Sequence, residues 1–507
     1  MSILKVRKRA MLLMQKKFNP LYLLLVFVVF LRVPSLFEPY WYGDEAIYLT
    51  LGEAVGQGLV LYRDIFDHKP PAIYLLASLA GSVFWFRLIL LLWHLATIVI
   101  FWDLAKKLFD KKNNLVVLAT SIFAFLTAIP LFEGNIANSE IFMIGPTIAA
   151  FLIAFSVKKP TTLKLFSAGL LFSLSILFKV PAIFDFFALV AFWLLNTRLN
   201  AKDIFKATKN ILVVGGGVLA PILASMLYFF TQGALPQYLN TVWSQNFFYI
   251  SLWSAPSLPL GDTIAQAGLS VRAAIFILIL GLLFLFKRRF DGATLFAVLW
   301  FTFALFASLL SGRPYSHYII QVLPPLALLL SILVFGREKY RFLPVSFLFF
   351  FVFSLVFYKF YYYPVFAYYG NFLAFVGGQK TKMEYFDYFD KRMPMIYQLA
   401  QALSSRTTKN DRIFIWGTAP EVYALSRRLP AARYITSFHI KDFNGEQETA
   451  DSLLEKKPKY IIVFKNETAR FPQLASLLQK NYIYLETIGM AEIWKRFDLR
   501  LMNRTKI

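Results

Sequence analysis

The sequence predicts a polytopic α-helical membrane protein with a small C-terminal α/β domain. Three observations predict it. The 507 residues are 58% hydrophobic and only 16% charged, whereas a soluble chain of this length carries roughly 25% charged residues. Long apolar runs recur along the chain, and every second gap between them is basic. After about residue 380 the pattern changes to short β-rich runs alternating with helix-like stretches.

The excess of apolar side chains is too large for one buried core and calls for a bilayer as solvent. Apolar runs fall near residues 20–36, 87–105, 115–131, 140–157, 163–178, 181–196, 210–230, 272–286, 292–310, 316–335 and 342–362, about eleven transmembrane helices. Several fall short of the roughly 20 residues that a full span prefers.

The loops give an independent check. With a cytoplasmic N-terminus, that side receives "KVRKRAMLLMQKK", "KKLFDKK", "KKPTTLK", "RLNAKDIFKATK", "KRR" and "REKYR". The opposite side, before residue 380, carries only scattered cations. Alternation of this kind sets orientation in membrane proteins. It also accounts for the net charge of +24 without nucleic acid, because the charge is spread over loops and forms no single patch. No small-residue cleavage site follows the first run, so it reads as a retained anchor in the plasma membrane.

The stretch "PPAIYLLASLAGSVFW", residues 70–85, cannot be another span, since counting it would invert every later loop. It is expected in the outer interface, or dipping in and returning. Residues 1–379 are thus the membrane domain, with a first outer loop at 37–86. Residues 380–507 form the extracytoplasmic α/β domain.

In that domain "DRIFIWG", "RYITSF", "KYIIVF" and "YIYLETI" read as strands. Residues 394–406, 419–428, 446–456 and 471–480 read as helices. It carries no glycine-rich phosphate loop. The Asn-x-Thr triplets at 466–468 and 503–505 are too common a pattern to carry weight. The chain has no cysteine, which removes thiol chemistry and thiolate metal sites.

Ionisable residues gather at the outer ends of the spans. They are Asp44, Glu45 and Glu53; Arg63, Asp64, Asp67, His68 and Lys69; Glu133, Asn135, Asn138 and Glu140; Lys179 and Asp185; and Arg313, Tyr315, His317 and Tyr318. Charges at this depth cost several kcal/mol unless paired or facing water, so one shared outward-facing cavity is expected. Each residue alone has a plainer reading. Asp44 and Glu140 could cap helices, His68 and Lys69 could reach the headgroups, and His317 could be an interfacial histidine. His68, His94 and His317 make no recognisable metal spacing, so no metal site is expected. A divalent cation is left open as a cofactor.

Together, acids and cations on one side suit a reaction between an anionic lipid and a neutral nucleophile. The Asp44-Glu45 pair, then "YRDIFDHKPPAIYLL", then "NSEIFM", then "HYIIQVLPPLALL" resembles the GT-C glycosyltransferases over residues 20–335. The lipid A aminoarabinose transferases and protein O-mannosyltransferases are the members most like it. The resemblance implies transfer of a sugar, usually with inversion, from a polyprenyl-phosphate donor to a lipid, glycan or protein acceptor outside the cytoplasm.

It implies Asp44 as general base, Glu45 as its acidic partner and Glu140 as a second acid near the sugar. Lys69 would hold the donor phosphate. His68, His317, Tyr318, Lys179 and Arg313 are expected, from their side and depth, to share in binding donor phosphate and sugar. One departure is Asp67-His68-Lys69, where the aminoarabinose transferases have glutamate directly before the lysine. The competing reading is a transporter or lipid flippase, which would need mid-span charges or an internal repeat; the sequence shows neither.

Overall fold

The computed structural model describes residues 19–155, 161–198, 200–245, 268–336 and 338–497. The N-terminal basic stretch, Lys158, Lys159, Arg337 and the triplet at 503–505 lie outside the described residues. Every one of the eleven apolar runs is a helix. Among the described residues, six helices are long and apolar enough to cross a membrane: Pro20–Phe37, Val83–Leu108, Ala201–Thr231, Gly268–Arg289, Gly292–Leu309 and Ser316–Phe335. Asn113–Ala128, Ser139–Phe155, Thr162–Phe178, Val180–Asn196 and Val345–Phe357 are shorter apolar helices over the remaining runs. A further apolar helix, Val365–Val376, was not expected; it follows "YYYP" and has only 12 residues.

The 70–85 stretch forms a nine-residue helix, Ala72–Ala80, ended by Gly81 in the left-handed conformation. At about 1.5 Å per residue this is far too short to cross hydrocarbon of about 30 Å. It packs on the Gly43–Gly56 helix so closely that a Cβ at Gly52 would lie 2.5 Å from the Ser78 backbone nitrogen.

Deeper in the bundle the Val83–Leu108, Ser139–Phe155, Thr162–Phe178 and Ala201–Thr231 helices pack in succession. Gly169 and Gly217 face each other at the last of these contacts, and a Cβ at either would meet the other helix's backbone. Small residues permit such close helix approach in lipid, where dispersion replaces the hydrophobic drive. Phe30, Leu79, Phe205, Leu285 and Phe349 are exposed, as expected of side chains whose solvent is lipid.

The C-terminal region holds a four-stranded sheet of order β1-β2-β4-β3, with β1 Ile413–Trp416, β2 Tyr460–Phe464, β3 Tyr482–Ile488 and β4 Ala491–Arg496. β1 and β2 are parallel, and β4 is antiparallel to both β2 and β3. The parallel pair is joined by the Pro420–Ser426, Ser437–Asp442 and Glu446–Lys456 helices, as a crossover requires. The expected helices are present within a few residues of their predicted ends. The expected strand "RYITSF" is not formed. The Arg433 carbonyl accepts from the Phe66 backbone N–H at 3.0 Å, and Ser437 already begins a helix. In its place "AEIWKR" supplies β4.

Candidate active site

The first outer loop builds the centre of the site. Asp44 and Glu45 lie in the first turn of the Gly43–Gly56 helix, where unpaired N–H groups favour negative charge. Neither is the cap: Tyr42 is, and it caps through no side-chain bond. Successive helical residues point about 100° apart, so the two carboxylates face different surroundings.

Asp44 Oδ2 accepts from Lys69 Nζ at 2.8 Å and from the Tyr48 hydroxyl at 3.1 Å. Its side chain is 33% exposed and that of Lys69 10%. Lys69 Nζ also lies 4.6 Å from the Tyr48 ring centre, a cation–π contact. Burial pushes the Asp44 carboxyl up, but Lys69, helped by His317, outweighs it and holds the group below the usual carboxylate range. Burial would lower Lys69; Asp44, Asp67 and Glu140 instead raise it above an ordinary lysine. The pair is therefore ionised throughout the neutral range.

Lys69 is held at the main chain. Its carbonyl accepts from the Tyr62 hydroxyl at 2.9 Å, and its N–H donates to the Tyr74 hydroxyl at 3.1 Å. The Tyr74 hydroxyl in turn donates to Asp67 at 2.7 Å.

The second half of the site comes from three later segments. Glu140, in the first turn of the Ser139–Phe155 helix, forms an ion pair with Lys179 at the C-terminal end of the Thr162–Phe178 helix. Both charges sit at the helix end that favours them. Lys179 Nζ lies 3.8 Å from the Tyr318 ring centre, and His317 Nε2 is 3.6 Å from Glu140. His317 Nδ1 is 2.7 Å from Glu133 Oε2, which also accepts from the Tyr42 hydroxyl and from Asn138. Asp44, Lys69, Glu140, Lys179 and His317 lie within electrostatic reach of one another. Glu140 Oε2, Ser139 Oγ and Asn138 Oδ1 are buried and find no hydrogen-bond partner among the described residues.

Not every expected residue joins this group. Glu45 is 1% exposed. Arg87 grips both its oxygens, at 2.9 and 2.5 Å, and the Ala137 N–H donates to it at 2.8 Å. Arg87 also pairs with Glu38 at 2.8 Å. Three donors thus occupy most of the Glu45 carboxylate and bury it in an ion-pair network with Arg87 and Glu38. Asp185 bonds Trp300 and Gln321 elsewhere in the bundle. Tyr42 is a residue that sequence reasoning missed; Glu133 is expected at the shared cavity but given no role, since it stands at positive φ after a three-residue turn, a position without a motif.

His68 turns to Asp67, at 3.0 Å. There the two meet His439 from the C-terminal region, whose Nε2 is 3.7 Å from Asp67. These three offer ligand atoms within 4.8 Å of one another and could hold a metal ion. Burial lowers His439 to about 4, which keeps the ring neutral as a metal ligand must be. Sequence spacing gave no sign of this cluster, because His439 lies in the other region of the chain.

Comparison with known proteins bears on the architecture. ArnT from Cupriavidus metallidurans, bound to undecaprenyl phosphate, is similar with TM-score 0.57 and 12% identity, over 94% of this chain and 98% of that one. The chain has the GT-C fold. The apo form of ArnT gives TM-score 0.57 at 13% identity, over 93% and 97% of the two chains. The apo oligosaccharyltransferase of Archaeoglobus fulgidus gives TM-score 0.47 at 12% identity, over 96% of this chain and 75% of that one. Residues 397–494 match a family model described as the competence-induced protein Ccs4 C-terminal domain. A search of curated protein sequences gave no match.

Proposed function

We propose that the chain is an integral-membrane glycosyltransferase. It takes a sugar from a polyprenyl-phosphate donor and transfers it, with inversion, to a lipid, glycan or protein acceptor outside the cytoplasm. Residues 1–379 are the transferase part, in the plasma membrane with a cytoplasmic N-terminus. Residues 380–507 are an extracytoplasmic domain. The observation that carries this reading is the Asp44–Lys69 pair: a carboxylate one-third exposed, held ionised by a buried ammonium at 2.8 Å.

Asp44 takes the proton from an acceptor hydroxyl as that oxygen attacks the anomeric carbon; such proton transfer is worth about 10²–10⁴-fold. The bond from the anomeric carbon to the phosphate oxygen breaks through an oxocarbenium-like state. The departing phosphate carries the charge, and Lys69 stabilises it, with Lys179 and His317 alongside. Fixed cations do this best where water is excluded. Glu140 Oε2 and Asn138 Oδ1 offer acceptors to the sugar hydroxyls, and Tyr318 places Lys179. Glu45 holds the Gly43–Gly56 helix and touches no reactant.

ArnT, which shares this fold, has been crystallised with undecaprenyl phosphate, which supports the donor class. Nothing favours a transporter or flippase, since the charges gather at helix ends on one side. The test compares outer-surface lipids, glycans and proteins by mass spectrometry in cells carrying the chain or its Asp44→Asn variant. One sugar is expected to be missing from one class in the variant; identical profiles in the two would refute the assignment.

A further inference from the structure

Phe66 belongs to the first outer loop, yet it is 1% exposed inside the hydrophobic core of the C-terminal region, with Phe414, Trp416, Tyr434 and Ile440. Every other member of that cluster lies beyond residue 413. The Phe66 ring lies 4.7 Å from Phe443, 5.1 Å from Tyr434 and 5.4 Å from His439, centre to centre. The Arg433 guanidinium covers it at 5.2 Å, and its own N–H is bonded to the Arg433 carbonyl. Three residues on stands Lys69.

The link between the two is short and tied at both ends. Tyr62, at φ +70°, donates its N–H to Ile65, which fixes the near end of the loop. Lys69 is pinned at both its carbonyl and its N–H. Only Asp67 and His68 stand between Phe66 and Lys69, so a shift of Phe66 in its socket bears directly on the segment that carries Lys69.

We propose that Phe66 is a positioning residue that locks Lys69 onto Asp44 by plugging the first outer loop into the C-terminal region, which makes that region an obligate part of the site. The role in donor binding rests on the reading of Lys69 as the phosphate ligand; the plug itself does not.

Two measurements on the full-length protein in detergent test it. The first is the rate of Lys69 acylation by an amine reagent, mapped by mass spectrometry. The second is affinity for undecaprenyl phosphate. Phe66→Ala is expected to raise Lys69 labelling several-fold and to weaken undecaprenyl phosphate binding about tenfold or more, since misplacements of about 1 Å cost up to about 10²-fold. Phe66→Leu, still apolar, restores both. Arg427→Ala, which breaks the exposed ion pair with Glu53 at the same seam, leaves both unchanged. Should Phe66→Ala fail to fold, Phe443→Ala removes one wall of the socket and shifts Lys69 labelling in the same direction by less.

Unchanged Lys69 labelling in the folded variants overturns the plug, whatever the lipid does. If labelling rises as expected but the unmodified protein binds no undecaprenyl phosphate, the plug stands and the donor assignment falls.

Discussion

Asp44 and Glu45 are neighbours in sequence with the same charge, and they meet opposite fates. Asp44 stands one-third exposed against a single lysine. Glu45 is closed off at 1%, bound to an arginine that is itself fully buried and shared with Glu38. An open pair keeps a carboxylate available for proton transfer. A closed triad holds backbone in place: Arg87 also bonds the Ser35 carbonyl, and Glu38 takes Trp41, Asn135 and Tyr368. On the role proposed for Asp44, an open carboxylate at residue 44 rests on an immobile one at residue 45.

The contrast can be broken most severely from the closed side. Arg87→Met leaves two buried carboxylates unpaired, and removing one partner of a buried pair costs about 3–5 kcal/mol. Thermal unfolding of the purified variant is expected to show that loss, or no folded protein to be recovered. Asp44→Asn should do the reverse. Transfer falls by about 10²–10⁴-fold, while the melting temperature falls less than for Arg87→Met, because the amide oxygen of the variant still accepts from Lys69 and residue 44 is one-third exposed.

Lys69→Gln sharpens the contrast through pH. In the proposed role Asp44 works ionised, and its folded value lies below the ordinary one. Base function, and the small stability tied to it, is therefore complete above the unfolded value and lost as pH falls through the folded value. Without Lys69 the carboxyl rises, so the acid limb of the pH–rate profile should move to higher pH; an unmoved limb would mean that another group sets it. The smallest effect is expected at the seam. Glu53→Gln breaks the pair with Arg427, 28% and 57% exposed, and should change stability by no more than about 1 kcal/mol.

Much of this was readable from the sequence, for identifiable reasons. Membrane helices announce themselves by apolar length, and each apolar run is a helix. Asp44, Lys69, Glu140, Lys179, His317 and Tyr318 do come together, because charges near hydrocarbon have few alternatives to meeting one another. What the sequence hid depends on contacts between distant segments. Glu45 gives no sign that it faces Arg87, 42 residues on. Tyr42 is an ordinary residue until a helix start brings it to Glu133 and His317. "RYITSF" has the composition of a strand, but its first carbonyl accepts from Phe66 and its end turns into a helix, while the less apolar "AEIWKR" completes the sheet.

The Tyr368 hydroxyl that bonds Glu38 at 2.6 Å is 330 positions away. During biosynthesis the ribosome must therefore add all 330 of those positions before Glu38 receives its last donor. Until then a nascent acid near the first anchor has to wait in partial hydration. Any nonsense mutation upstream of that tyrosine would strand it there permanently.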